Sequence, residues 1–159
     1  DDLTLWMAVQ REWADDEEGF VKLLAYKPAS QEWGAVSYPL ETPEQGWMGL
    51  SEITASGDKV YIVERDNQVG EAARVKKLFT VALADMQPAP LGSELPVVAK
   101  SEAADLIPLM MAASHGVVAE KVEGFAIAAD GTAYAVTDND GVDDSSGETL
   151  FFKVPMAAN

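Results

Sequence analysis

One pattern occurs three times in this chain, and a repeat constrains a fold more than any single residue can. LWMAVQRE (Leu5 to Glu12), VYIVERDN (Val60 to Asn67) and AYAVTDND (Ala133 to Asp140) are apolar runs of strand type that end in polar or acidic residues. Each is followed by a second strand-like run: VKLLAYKP (Val21 to Pro28), KLFTVAL (Lys77 to Leu83) and ETLFFKVP (Glu148 to Pro155). The steps from Val9 to Leu23, Val63 to Leu78 and Val136 to Leu150 are 14, 15 and 14 positions. A further apolar segment closed by a turn precedes the second and third copies: LSEITASGDK (Leu50 to Lys59) and EGFAIAADGT (Glu123 to Thr132), with Ser56-Gly57-Asp58 and Asp130-Gly131 as the turn residues. EWGAVSYPL (Glu32 to Leu40) and LPVVAK (Leu95 to Lys100) read as fourth strands of the first and second copies.

Four antiparallel strands per unit, with matched valines 54 and 73 positions apart, are the pattern of a β-propeller blade. The expected fold is therefore all-β: a blade over residues 1–45, a second over 46–103, a short helical insert over 104–114 (ADLIPLMMAAS) and an incomplete blade over 117–155. The helix is expected to cover a blade edge with its Leu and Met side chains. The first copy lacks an innermost strand and the third an outermost one, which leaves about two and a half blades where closed propellers have roughly four to eight. Isolated blades expose strand edges. The chain is thus expected to be a fragment or cleavage product of a larger propeller, with the remainder of that propeller, which can be a second chain, for a partner.

Composition removes several function classes. With no cysteine, the chain has no disulfide, thiolate metal site or cysteine nucleophile. A net charge of −16 repels nucleic acid and anionic membrane surfaces, so neither is an expected partner; cations or cation-bridged anions are favoured. The longest apolar run, LIPLMMAA, is too short to cross a bilayer. G-x-S-x-G, phosphate-loop and dinucleotide patterns are missing. His115, alone of its kind, reads as a cap or turn residue before Gly116, and REWADDEEG (Arg11 to Gly19) as a solvated loop with Trp13 folded back, outside any site.

GLSEITASGDKVYIVERD (Gly49 to Asp66) followed by VEGFAIAADGTAYAVTDND (Val122 to Asp140) resembles the C-terminal half of the phytase-like, or "esterase-like activity of phytase", domain. The resemblance rests on Ser51-Glu52-Ile53, Val63-Glu64-Arg65-Asp66, Glu123-Gly124-Phe125-Ala126 and Asp138-Asn139-Asp140 in that order, and runs from Gly49 to Val154. It implies a periplasmic or secreted bacterial β-propeller named for phosphate-ester hydrolysis.

If the matched loops share one rim, Arg65, Asp66, Asp138, Asn139 and Asp140 lie together there, with Glu52 and Glu123 beside them. Carboxylates without thiolates suit calcium, a hard cation with about 6–8 oxygen ligands. The expected metal ligands are Glu64, Asp66, Asp138 and Asp140. Glu52, Arg65 and Glu123 are the expected catalytic residues, and Arg65 and Asn139 the substrate contacts, in a calcium-assisted attack of water on a phosphate ester. Two plainer readings stand beside this. Glu64-Arg65-Asp66 is equally an ion-paired strand end, and TDNDGVDDSSGE, which does not fit the EF-hand template, is equally a solvated turn. The rival function is a non-catalytic propeller module presenting its rim to a protein or glycan.

Overall fold

The computed structural model describes residues 3–138 and 149–156. Its elements in chain order are β1 (Leu5–Ala8), β2 (Phe20–Lys27), β3 (Glu32–Pro39), β4 (Met48–Ser56), β5 (Lys59–Asp66), β6 (Lys76–Ala82), β7 (Ala89–Pro90), β8 (Lys100–Asp105), α1 (Ile107–Ser114), β9 (Val122–Ile127), β10 (Ala133–Thr137) and β11 (Phe151–Val154). They form three antiparallel sheets: β1-β2-β3-β7, β4-β5-β6-β8 and β9-β10-β11. Among the described residues the chain is all-β apart from α1 and short single-turn helices, and none of the sheets closes on itself. Asn139 and Asp140 of the acidic loop lie outside the described residues.

The second sheet sits between the other two, and its composition shows why. Seven consecutive residues of β5, Val60 to Asp66, are buried, because alternate side chains point into two different cores. Val60 and Ile62 join Val21, Leu23, Val36 and Tyr38 of the first sheet. Tyr61 and Val63 join Leu78 and the third sheet's Val122, Phe125, Ala133, Ala135 and Phe152. By contrast β11 alternates exposed and buried, with one face covered. Each large aliphatic or aromatic side chain so enclosed stabilises the stack by about 1.5–3 kcal/mol.

The fourth strand of the second sheet departs from expectation. It is β8, Lys100–Asp105, rather than Leu95–Lys100. KSEAAD is an edge strand whose large side chains are all polar, so it carries almost no apolar signal. The apolar Val97-Val98 pair serves the first sheet instead. Ser37 of β3 donates to the Pro96 carbonyl at 2.9 Å and accepts from the Val98 N–H at 3.0 Å, and Val98 joins the core between the first two sheets. β7 lies on the same edge of β3, where proline costs no ladder hydrogen bond. Gly34 permits this approach: a Cβ there would stand 2.8 Å from the Ala89 carbonyl oxygen. Segments between β6 and β8 thus finish the first sheet.

The helix begins at Ile107, because Ala104 and Asp105 still belong to β8. Leu106 and Met110 enter the core between the second and third sheets, and α1 packs on β11, the third sheet's edge. His115 ends the helix in the left-handed conformation, φ 60°, with its N–H donating to Met111. Among the described residues no helix is long and apolar enough to cross a membrane.

Candidate functional site

Two β-bulges at matching places build the site. In β4, Leu50 pairs with Glu64 and Glu52 with Val63, so Ser51 is the extra residue. In β9, Gly124 pairs with Val136 and Val122 with Thr137, so Glu123 is extra. Ser51 and Glu123 are therefore equivalent residues of neighbouring sheets, each re-aimed by its bulge. Gly124 allows the second bulge, since a Cβ there would lie 2.5 Å from Cγ1 of Val136.

Both bulged residues converge on Arg65. Its Nε donates to Ser51 Oγ at 2.9 Å, its Nη2 to Glu123 Oε1 at 3.0 Å and its Nη1 to Glu120 Oε1 at 3.5 Å. The guanidinium side chain is 1 % exposed, whereas those of Glu120 and Glu123 are 36 % and 34 % exposed. A buried cation is thus matched by two carboxylates that still reach water. Beside them lies the Trp47 ring, its centroid 5.4 Å from the Arg65 guanidinium carbon and 4.7 Å from that of Arg11. Trp47 is held through its backbone: its N–H donates to Asn67 Oδ1 at 2.9 Å and its carbonyl accepts the Asn67 N–H at 3.2 Å. Arg11 is brought in by the preceding residue, because the Gln10 carbonyl accepts the Leu50 N–H at 3.0 Å. At Gly49 a Cβ would stand 2.8 Å from the Trp47 ring and 2.9 Å from the Gln10 carbonyl oxygen.

The other expected site residues go elsewhere. Glu64 turns toward the first sheet and is fully buried; its carboxylate accepts from Tyr38 Oη at 2.9 Å, from Lys100 Nζ at 2.7 Å and from the Glu41 N–H. Burial outweighs these donors and pushes its carboxyl above the usual range. Asp66 accepts from the N–H groups of Gln68, Arg74 and Val75 and from the buried Lys76 Nζ at 2.8 Å. Burial opposes its charge, but Lys76 and those N–H groups prevail and hold it below the ordinary carboxylate range. Glu52 Oε1 accepts the N–H of Ile53 at 2.8 Å and takes no part in the Arg65 cluster. Asp138 is exposed, and its N–H donates to the Lys121 carbonyl at 2.9 Å.

The donor set does not fit calcium where the described residues can be compared with it. Glu64 and Asp66 already direct their oxygens at protein donors. Among the described residues no group of three or more acidic or histidine side chains is placed to hold a metal ion.

The cluster also takes in Ser51, Glu120, Trp47 and Arg11, which lie outside the site residues expected from the sequence. Ser51 stood in a quoted motif, but only the bulge register makes it the counterpart of Glu123. Arg11 opens the acidic stretch set aside as solvated. That stretch is also more tied down than expected, because Asp15 and Asp16 pair with the buried Lys22, whose Nζ lies 4.8 Å from the Trp13 ring centroid.

A family model described as "Phytase-like: Esterase-like activity of phytase" matches residues 1–141, which includes the first sheet, the second sheet and the strands β9 and β10 of the third. No curated protein and no solved structure matches the chain.

Proposed function

We propose that this chain, which belongs to the phytase-like family, is part of a β-propeller phosphoric-ester hydrolase whose site is the cluster around Arg65, Glu123 and Arg11. The observation that carries this reading is the pair of equivalent bulges, which bring Ser51 and Glu123 from two sheets onto one buried guanidinium and leave the Glu123 carboxylate partly open to water. Arg65 with Glu120 and Glu123 sums to a charge of −1, so an incoming anion needs a further cation. Arg11, exposed beside Trp47, supplies it and contacts the phosphoryl oxygens. Glu123 takes a proton from water as that water attacks phosphorus; the ester P–O bond breaks, and the leaving oxygen takes a proton from solvent. Arg65 is a positioning residue that holds both carboxylates in place. The proposed setting is the periplasm or the outside of the cell.

Initial rates on an aryl phosphate monoester test this. Glu123→Gln is expected to lose about 100-fold or more in kcat with unchanged circular dichroism. No hydrolysis by the unaltered chain would overturn the proposal. Chelation with EDTA is expected to leave the rate unchanged, and a loss of activity would return a cation to the mechanism.

One observation favours the rival reading, a non-catalytic module for a protein or glycan. Arg65 is almost wholly enclosed and its donors are already engaged, as befits a clamp between sheets. On that reading Glu123→Gln alters stability alone.

A further inference from the structure

Arg11 opens a loop, residues 11–19, in which five carboxylates fall among the next seven residues: Glu12, Asp15, Asp16, Glu17 and Glu18. An exposed guanidinium in such company readily pairs with one of them, and a paired arginine is a poorer contact for an incoming anion. Yet among the described residues no carboxylate is ion-paired with Arg11, whose guanidinium lies on the Trp47 ring instead.

The loop carboxylates are held by Lys22. Its neighbours in β2, Val21 and Leu23, enter the core between the first two sheets, so the lysine leaves the opposite face of the strand. The loop folds over it there and leaves it 4 % exposed. Lys22 Nζ donates to Asp15 Oδ1 at 3.1 Å and to Asp16 Oδ1, beside the Trp13 ring. The second oxygen of Asp16 accepts the Trp13 N–H at 2.7 Å, and the Asp16 N–H donates to the Trp13 carbonyl at 3.1 Å, which fixes the turn. Glu12 Oε1 accepts the Gly19 N–H at 2.9 Å. Burial opposes the charge on Lys22, but Asp16 and Asp15 outweigh it and raise its pKa, so the ammonium persists. The hydrogen bond from Lys22 in turn lowers the pKa of Asp15 and keeps it ionised. Two of the five carboxylates are thus committed to a cation other than Arg11.

We propose that Lys22 is a positioning residue for phosphate binding: it holds Asp15 and Asp16 on β2, keeps them from pairing with Arg11, and leaves that guanidinium open to an anion. The inference rests on the reading of Arg11 as the phosphoryl contact. It differs from a loop staple in what it requires. A staple needs an attachment between loop and strand, whereas a carboxylate trap is dispensable once the two carboxylates lose their charge.

The test is titration calorimetry of inorganic phosphate into the full chain, with initial rates on a phosphate monoester beside it. Lys22→Met is expected to weaken phosphate binding by about 2- to 5-fold, the range over which exposed ion pairs compete. KM is expected to rise in parallel while kcat holds. Adding Asp15→Asn and Asp16→Asn is expected to restore the original affinity although the attachment is gone, and Lys22→Arg to retain it. In Arg11→Ala, Lys22→Met is expected to change nothing further, because Lys22 acts through Arg11. If circular dichroism shows Lys22→Met unfolded, Lys22→Gln carries the same expectations. Unchanged affinity in the folded Lys22 variant, or a triple variant as weak as the single one, would overturn this inference and leave the hydrolase reading standing. Phosphate bound in this pattern without turnover would do the reverse. An unaltered chain that binds no phosphate would sink both.

Discussion

Glu64 and Arg65 are neighbours on β5, and the two seams they enter handle buried charge in opposite ways. Between the first and second sheets, Glu64 is enclosed on every side by Tyr38, Lys100 and the Glu41 N–H, and Lys100 reaches back to Glu41 at 3.1 Å. Between the second and third, Arg65 is equally enclosed, but its partners Glu120 and Glu123 stand at the surface. A closed network can join sheets and do little else, because no substrate atom can reach it. An open one joins sheets and also presents an oriented carboxylate to solvent. The strand's two-residue period distributes these roles, which is why chemistry is assigned to one seam only.

The sharpest way to break that contrast is to remove one charge from each seam. Lys100→Met leaves Glu64 buried without its cation, and a loss of about 3–5 kcal/mol is expected in urea denaturation. Adding Glu64→Leu and Tyr38→Phe is expected to recover most of it, because an apolar replacement restores a consistent interior. Arg65→Met is expected to cost less, about 1–3 kcal/mol, since both carboxylates can rehydrate where they stand. Equal losses in the two seams would erase the distinction between closed and open networks.

The pH dependence sharpens a second contrast, between Glu64 and Asp66. A carboxyl raised above its ordinary 4.5 holds its proton more tightly in the folded chain. The stability Glu64 contributes is therefore full below that value and is lost as pH rises through the raised one. Asp66 is lowered from 3.8, so its contribution is present above that pH and is lost as pH falls through the lowered value. Urea midpoints measured across about pH 3 to 8 are expected to flatten on the upper side in Glu64→Gln and on the acid side in Asp66→Asn. The reverse assignment would mean that Lys100 outweighs burial at Glu64.

Much of this was legible in the order of residues, and what was not has a physical cause. The near-constant spacing of Val63 to Leu78 and Val136 to Leu150 located the central hairpins, because both strands of each must bury an apolar face. Period two already separates Arg65 from Glu64 and Asp66. It is silent about Lys76 and Lys100, which arrive from other strands to take those carboxylates away from any cation site. The bulges at Ser51 and Glu123 are hidden because a one-residue slip leaves no mark in composition, so residue order alone cannot tell that Ser51 rather than Glu52 reaches the same place as Glu123. The edge strand Lys100–Asp105 carries little sequence signal because an edge needs little apolar surface, while the apolar Val97-Val98 pair just before it serves another sheet.

The smallest expected effect concerns Arg11, and it separates binding from architecture most cleanly. Its guanidinium lies 4.7 Å from the Trp47 ring centroid at an exposed position, where such a contact contributes about 0.5–1 kcal/mol. Arg11→Ala should therefore lower stability by no more than that. If Arg11 contacts the phosphoryl group, the same change raises KM for a phosphate monoester and leaves kcat near its original value, because the Glu123 carboxylate is undisturbed. Arg11→Lys keeps the charge but loses the planar fork, so it is expected to recover only part of the KM. A change in kcat alone would place Arg11 outside substrate contact and make Trp47 a spacer between sheets, whereas an unchanged KM in both variants would return the open seam to the purely structural role of the closed one.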